Sequence, residues 1–448
     1  MANSVFLVSV WTFVTFVTWS CSGSRLPEGE IWAVLVAGSN GYGNYRHQAD
    51  VCHAYHVLRE HGVPADHIIT MMYDDIAYSP ENPYPGTIIN AVNGSNVYEG
   101  VFRDYIGKDV NSTNFLKVIT GDAEGLQGVG SGRVLKSSGP NDHVFINFVD
   151  HGADYLICFP NDTDELYAPD LLKAFMEMSE KEMYAKMVVY IEACESGSLF
   201  DNFLSNKLNI FAVTAAKRDQ DSYACCWDAK VEAYLGDVFS VNWMEDSDSE
   251  NLEEETLSEQ YSVVVKETNT SNPQEFGTLS IGRLPVGQFM GTKQFPKPSK
   301  STIRCADEVG SPNVPIAVLQ RKLEKKIADK STAEITHLES QIRTLFKNRR
   351  SVDHVMEHLL SIAYGSDEEF ITQVLKAKSE LTMERFSCYK RLAKHWFSNC
   401  YGHSTSPYGL QKLNIFANIC MEDTESAEKM INAMNAICPL IKVKNGIL

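Results

Sequence analysis

Five long apolar runs constrain this chain more than any other feature: "IWAVLVAG" (31–38), "DHIITMMYD" (66–74), "DHVFINFVDHG" (142–152), "KMVVYIEAC" (186–194) and "LNIFAVTAA" (208–216). Each is continuous rather than alternating, which is how parallel strands covered on both faces read. Helical patterns separate them. "QADVCHAYHVLREHG" (48–62) stops at Gly62 before Val63-Pro64, and "APDLLKAFMEMSEKEMYAKM" (168–187) opens with Pro169, suited to a first turn. Strand–helix–strand alternation predicts an α/β domain with a mostly parallel sheet, closing near residue 290.

Residues 291–315 carry four prolines among small polar residues and read as the start of a linker. Beyond it the pattern is helical: Ile335, Leu338, Ile342 and Leu345 repeat at 3, 4 and 3. "KNRR" ends the repeat before three heptads, which argues against a coiled coil. Cys388, Cys400, Cys420 and Cys438 fall within the last 61 residues, an even number with three possible pairings, as in a small stapled helical domain. The upstream cysteines Cys52, Cys158, Cys194, Cys225, Cys226 and Cys305 show no such framework, so at least one is expected to be a free thiol. The expected organisation is a signal peptide (1–24), a catalytic domain (25–290), an activation linker (291–330) and a helical C-terminal domain (331–448).

The signal peptide rests on the apolar run Val5–Trp19 followed by small residues. That run is short for a spanning helix, so no stable membrane insertion is expected after its removal. The sequons at Asn93, Asn111, Asn161 and Asn269 agree with a secretory route. A net charge of −18 argues against a nucleic-acid partner. From Ser311 onward, 19 Lys/Arg against 15 Asp/Glu give +4, which leaves −22 for the rest. Pieces of opposite sign attract, and the attraction weakens as carboxylates protonate.

Three of the apolar runs end on reactive side chains: "GSNGYGNYRHQ" (38–48), Asp150-His151-Gly152 and Glu192-Ala193-Cys194. Ligands bind beyond the carboxyl ends of parallel strands. One crossover helix joins the third and fourth runs, which makes them neighbours about 4.8 Å apart. His151 and Cys194 then sit side by side, as a thiol nucleophile and its base require. An imidazolium at His151 would favour the thiolate and later protonate a leaving amine. Gly152 and the "SGS" after Cys194 leave backbone N–H groups exposed for an oxyanion. Glu192 lies on the same face as Cys194, roughly 6.6 Å back along the strand. A carboxylate there opposes thiolate formation, so it is read as aimed at substrate. Cys52, His53, His56, His61 and His67 match no zinc spacing, and most read as surface or packing residues of one helix; no metal is expected.

The strings "NYRHQADVCHAY", "MMYDDIAYS", "NFVDHG", "YIEACESGS" and "SYAC…YLGD…SVNWMED" closely resemble the legumain, or asparaginyl endopeptidase, family of caspase-like cysteine proteases. The likeness spans about residues 29–290, and the C-terminal region looks more loosely like that family's pro-domain. It implies a caspase-like α/β/α sandwich and an acid-activated zymogen without cofactor, cutting after Asn, or after Asp in acid. Carried over, Cys194 is the nucleophile, His151 its partner and Asn44 the residue that orients it. Arg46, His47, Glu192, Ser222 and Asp237 form the specificity pocket. The resemblance also implies pairing of Cys388 with Cys420 and of Cys400 with Cys438. Self-cleavage is expected at Asn313, with Asp307, Asp329 and Asn348 as further candidates. Expected partners are Asn-containing proteins and peptides, the chain's own pro-domain and cystatin-type inhibitors, in acidic vesicles such as the lysosome or outside the cell. A peptide ligase on the same Cys–His site is the alternative. Ala153-Asp154-Tyr155 and Gly43 depart from the family pattern.

Overall fold

A computed structural model describes residues 29–293, 307–365, 367–403, 406–422 and 424–445. The expected signal peptide lies outside them, as do residues 294–306 of the expected linker. Strands β1 (Ile31–Ala37), β2 (Ile68–Met71), β3 (His143–Val149), β7 (Lys186–Glu192) and β8 (Ile210–Thr214) are the five apolar runs, each trimmed at its ends. Strands β4 (Gly152–Ala153), β5 (Leu156–Cys158) and β6 (Glu165–Tyr167) form a small antiparallel sheet past the tip of β3. The remaining strands are β9 (Tyr223–Asp228), β10 (Ala233–Asp237), β11 (Gln274–Gly277) and β12 (Val309–Gly310). The main sheet runs β11-β8-β7-β3-β1-β2, parallel except for β11.

Continuous apolar strands mean two covered faces, and that is how they pack. Trp32, Val34 and Val36 of β1 enter one core while Ala33, Leu35 and Ala37 enter the other. Helices α2 (Ser112–Ile119) and α3 (Ala168–Glu180) cover the first face. Helices α1 (Tyr45–Glu60), α4 (Val238–Ser249), α5 (Leu257–Glu267) and the short α6 (Gly287–Met290) cover the second. This is the expected mixed α/β architecture with a mostly parallel sheet.

The described part of the expected linker is structured. β12 adds to β9, and α7 (Val314–Ala328) follows at once. Helices α8 (Thr332–Tyr364), α9 (Glu368–Lys376), α10 (Phe386–Asn399), α11 (Leu413–Glu422) and α12 (Thr424–Asn445) make the C-terminal domain. Disulfides Cys388–Cys420 and Cys400–Cys438 tie α10 to α11 and the end of α10 to α12. Cys52, Cys158, Cys194 and Cys225 are free and buried. Cys226 is disulfide-bonded to a partner outside the described residues. Among the described residues no helix is long and apolar enough to cross a membrane.

Candidate active site

Parallel pairing of β3 with β7 puts Val149 opposite Glu192, so the residues just past both tips share one edge of the sheet. Asp150 donates its N–H to the Glu192 carbonyl at 3.0 Å and holds the tips together. A Cβ on Gly152 would sit 2.5 Å from the Cys194 carbonyl oxygen, so only glycine lets the chain after His151 pass this close. Asn44 caps α1 from the neighbouring tip and accepts a hydrogen bond at Oδ1 from His151 Nε2, at 3.0 Å. A neutral imidazole has one donor and one acceptor, which leaves Nδ1 as the acceptor. Cys194 Sγ accepts the Ser222 N–H at 3.3 Å.

The pocket beside this pair is built from α1, β7 and β10. Arg46 Nε donates to Asp237 Oδ1 at 2.8 Å, both 1% exposed. Ser240 donates its N–H and hydroxyl to Glu192 Oε2, each at 3.1 Å. Glu192 Oε1 and Asp237 Oδ2 are buried without a hydrogen-bond partner. Burial, then the neighbouring Asp237, pushes Glu192 well above the usual carboxyl range. Burial and Arg46 hold His47 neutral. The pocket thus offers one fixed guanidinium and two oxygens without donors. A carboxamide supplies the complement, one carbonyl acceptor and an NH₂ with two donors.

Residues 31–292 match the peptidase C13 family, and residues 340–438 match the legumain prodomain. The chain belongs to the peptidase C13 family. It is 42% identical to legumain of Bos taurus over 96% of this chain and 99% of that protein. It is 41% identical to legumain of Homo sapiens over 96% and 99%. With hemoglobinase of Schistosoma mansoni the identity is 38%, over 98% and 100%. Among solved structures, caspase-1 of Spodoptera frugiperda aligns at 11% identity with a TM-score of 0.34, covering 61% of this chain and 94% of that one. A C13 peptidase with its prodomain attached is the zymogen of a cysteine endopeptidase.

In this zymogen the chain fills its own cleft. β12 pairs antiparallel with β9, Val309 opposite Ala224 and Gly310 opposite Tyr223. Ser311 continues that edge, donating its N–H to the Ser222 carbonyl at 2.9 Å. Its hydroxyl accepts from Arg46 Nη2 at 2.9 Å, so serine engages the guanidinium of the pocket. The prodomain covers the rest. Tyr155 packs edge-on against Phe386 and Tyr389, and its hydroxyl accepts the Leu381 N–H at 2.7 Å. The departure from the family pattern at 153–155 is therefore the seat of the prodomain.

Covering changes the chemistry. Burial, reinforced by Arg46 and by His403 of the prodomain, lowers His151 to about 3. Burial, with Glu195 and Asp221 nearby, pushes the Cys194 thiol far up. The expected imidazolium is therefore corrected for the covered state: a buried site disfavours the charged form of both groups.

Among the further candidates, Asn313 lies just past the cleft with Oδ1 held by Arg349 at 2.8 Å. Asp307 Oδ2 accepts the Trp227 N–H at 3.1 Å, Asp329 ends α7 in an exposed turn, and Asn348 lies within α8. Asn93, Asn161 and Asn269 are exposed, and Asn111 caps α2. His53, His56 and His61 bond to Asn90, Val97 and Val57, and His67 stacks on Trp32, all as packing residues. Two triads, His47-Asp150-His151 and Cys194-Glu195-Asp221, bring donor atoms within 4.8 Å of one another. Asp150, named in the sequence only as part of a reactive strand end, and Asp50, not singled out there, also lie at the site. Asp150 faces His47 Nδ1 at 3.2 Å, and Asp50 Oδ2 accepts the Asp237 N–H at 3.1 Å. Asp50 had a usable signal, one helical turn after Arg46.

Proposed function

We propose that the released enzyme hydrolyses peptide bonds after Asn, and after Asp in acid, with Cys194 as nucleophile, His151 as base and Asn44 as its orienting partner. The observation that carries this reading is the pocket: Arg46 against two buried, partnerless carboxyl oxygens of Glu192 and Asp237. A site that hydrogen-bonds a carboxamide rejects apolar isosteres by about 10⁴-fold or more, because its polar groups would be left unpaired. An Asp side chain fits once protonated, which confines Asp cleavage to low pH.

His151 Nδ1 takes the thiol proton as Cys194 Sγ attacks the scissile carbonyl, and the resulting imidazolium donates it to the leaving amine. Water then cleaves the acyl-enzyme. N–H groups around Gly152 and after Cys194 hold the oxyanion. Activation follows from removing the prodomain and the segment at Ser311. Ser311 has no carboxamide side chain, and the next residue is Pro312, so the segment occupies the cleft without being a good substrate. Asp329, in the exposed turn between α7 and α8, is the first processing position in acid, followed by Asn313. Secretory routing to acidic vesicles, glycosylation at the four sequons and inhibition by cystatin-type proteins belong to the same reading.

Mapping the cuts made by acid-processed enzyme in an unfolded protein tests it. At pH 7 every new C-terminus should be Asn; at pH 5, Asn with some Asp. A majority of other residues would refute the pocket assignment. If an added amine captured most acyl groups, the ligase reading would replace hydrolysis.

A further inference from the structure

A cavity of about 620 Å³ lies between the catalytic domain and the prodomain, beyond Cys194. Its place in the cleft follows from the chain that fills it. The bound segment runs antiparallel to β9, from Val309 opposite Ala224 to Ser311 at Ser222. A substrate continuing past the residue at Ser311 therefore moves toward Asp221, Gln220 and Asp219. Glu195 joins this side, donating its N–H to the Gln220 carbonyl at 2.8 Å. The cavity is thus the side that receives residues after the scissile bond.

Its catalytic-domain wall is acidic. Asp154, Glu195, Asp201 and Asp219 line it, against Lys217 and Arg218. Both bases are engaged: Lys217 with Asp219 at 3.2 Å, Arg218 with Asp201 at 3.7 Å and with Glu380 of the prodomain at 2.8 Å. Asp154, Glu195 and Asp221 have no ion-pair partner among the described residues; Asp221 meets the Gln411 amide, at 3.5 Å, and the Cys194 thiol. The zymogen itself places a cation on this wall. Lys378 of the prodomain lies 2.5 Å from Asp219 Oδ2 and leaves with the prodomain. Burial pushes Asp154 up to about 7 and Glu195 well above the usual carboxyl range, with neighbouring carboxylates adding to the rise at Glu195. These are groups short of positive charge.

We propose that the uncovered wall is a cation subsite, selecting Lys or Arg at the first or second position after the cleaved bond, with Asp154, Glu195 and Asp219 as its recognition groups. This rests on Cys194 being the nucleophile of the C13 peptidase. Internally quenched peptides that differ only in having Lys, Ala or Glu at those two positions test it, with acid-processed wild type, Asp219→Asn and Asp154→Asn/Asp219→Asn. The expected result at pH 6 is a Lys-over-Glu ratio in kcat/KM of about tenfold or more. The ratio should shrink in high salt, where exposed charges are screened, and fall toward 1 in the double variant. A coumarin amide with nothing but the fluorophore after Asn reports the chemistry separately and should be unchanged in both variants. If that amide is cleaved normally while Lys and Glu peptides are cut equally, the subsite is refuted. If the amide itself is not cleaved, the peptidase reading fails first. Asp219→Asn, on a partly exposed side chain, keeps the test informative should the double variant fold poorly.

Discussion

The hydrogen bond from His151 Nε2 to Asn44 leaves Nδ1 as the ring's acceptor and so as the base of the proposed mechanism, since a carboxamide oxygen only accepts. Asn44→Ala should therefore lower kcat about 10²-fold with little change in KM, because the base is still present but misdirected. A KM effect without a kcat effect would contradict this. Arg46 poses a different test. Its Nε and Nη2 contact Asp237 and Ser311, a two-pronged arrangement that a lysine ammonium does not reproduce. Arg46→Lys should cost at least about 10²-fold in kcat/KM for an Asn substrate. Alkylation of Cys194 by a small iodoacetamide should continue, which separates a pocket defect from a folding defect.

At the scale of elements, β12 and the residues after it act as a strand laid in the cleft, and two residues keep them intact. Replacing them as Ser311→Asn/Pro312→Ala should create a cut between 311 and 312 that the wild type lacks, visible in intact mass after acid treatment. An unchanged fragment pattern would mean that the segment does not sit as a substrate does. The occupant of the cleft was not legible in the sequence, because Val309–Ser311 looks like any short polar-flanked loop until β9 supplies its partner strand. The strands were legible because their burial on both faces leaves no polar alternation to confuse the pattern. Cys194 and His151 were legible because one crossover fixes two neighbouring tips. The contact of Asp150 with His47 and the bond of Cys226 were not, since both depend on tertiary contact.

For the whole molecule, the question is what loosens the prodomain in acid. Surface pairs such as Lys378–Asp219 and Lys390–Asp170 have the expected sign, prodomain lysine on catalytic-domain acid. Exposed pairs contribute only about 0–1 kcal/mol each. Lys378 holds Asp219 below its usual value, so that contact is lost only as pH falls beneath the ordinary carboxylate range. His403 acts earlier. Buried at 2% exposure and 3.7 Å from Glu165, with Asp162, Asp164 and His151 around it, it is lowered to about 4 by burial. A depressed histidine stabilises docking at high pH and loses that contribution as pH drops from about 6.5 to about 4, up to about 3 kcal/mol. Glu165 opposes it: burial raises this carboxyl to about 8, so docking takes up its proton and is favoured by acid. His403→Gln, which keeps the neutral form, should thus move prodomain release to lower pH, and Glu165→Gln, which keeps the uncharged form, should strengthen docking at neutral pH, both read by size exclusion of nicked enzyme. Release of His403→Gln at the wild-type pH, or docking of Glu165→Gln at pH 7 no stronger than that of the wild type, would overturn the assignment. Tyr155→Ala should weaken docking by about 3 kcal/mol at any pH, since it empties the aromatic seat shared with Phe386 and Tyr389. A release midpoint in urea equal to that of the wild type would contradict it. Docking and catalysis meet at one thiol, so the most direct measurement is hydrolysis of two fluorogenic tripeptides, ending in Asn or in Ala, at pH 5.5 and 7.5. The enzymes are wild type before and after acid treatment, and Cys194→Ser. Cleavage of the Asn peptide alone, only after acid treatment and never by Cys194→Ser, is the predicted result; equal cleavage of the Ala peptide, or activity surviving in Cys194→Ser, would contradict it.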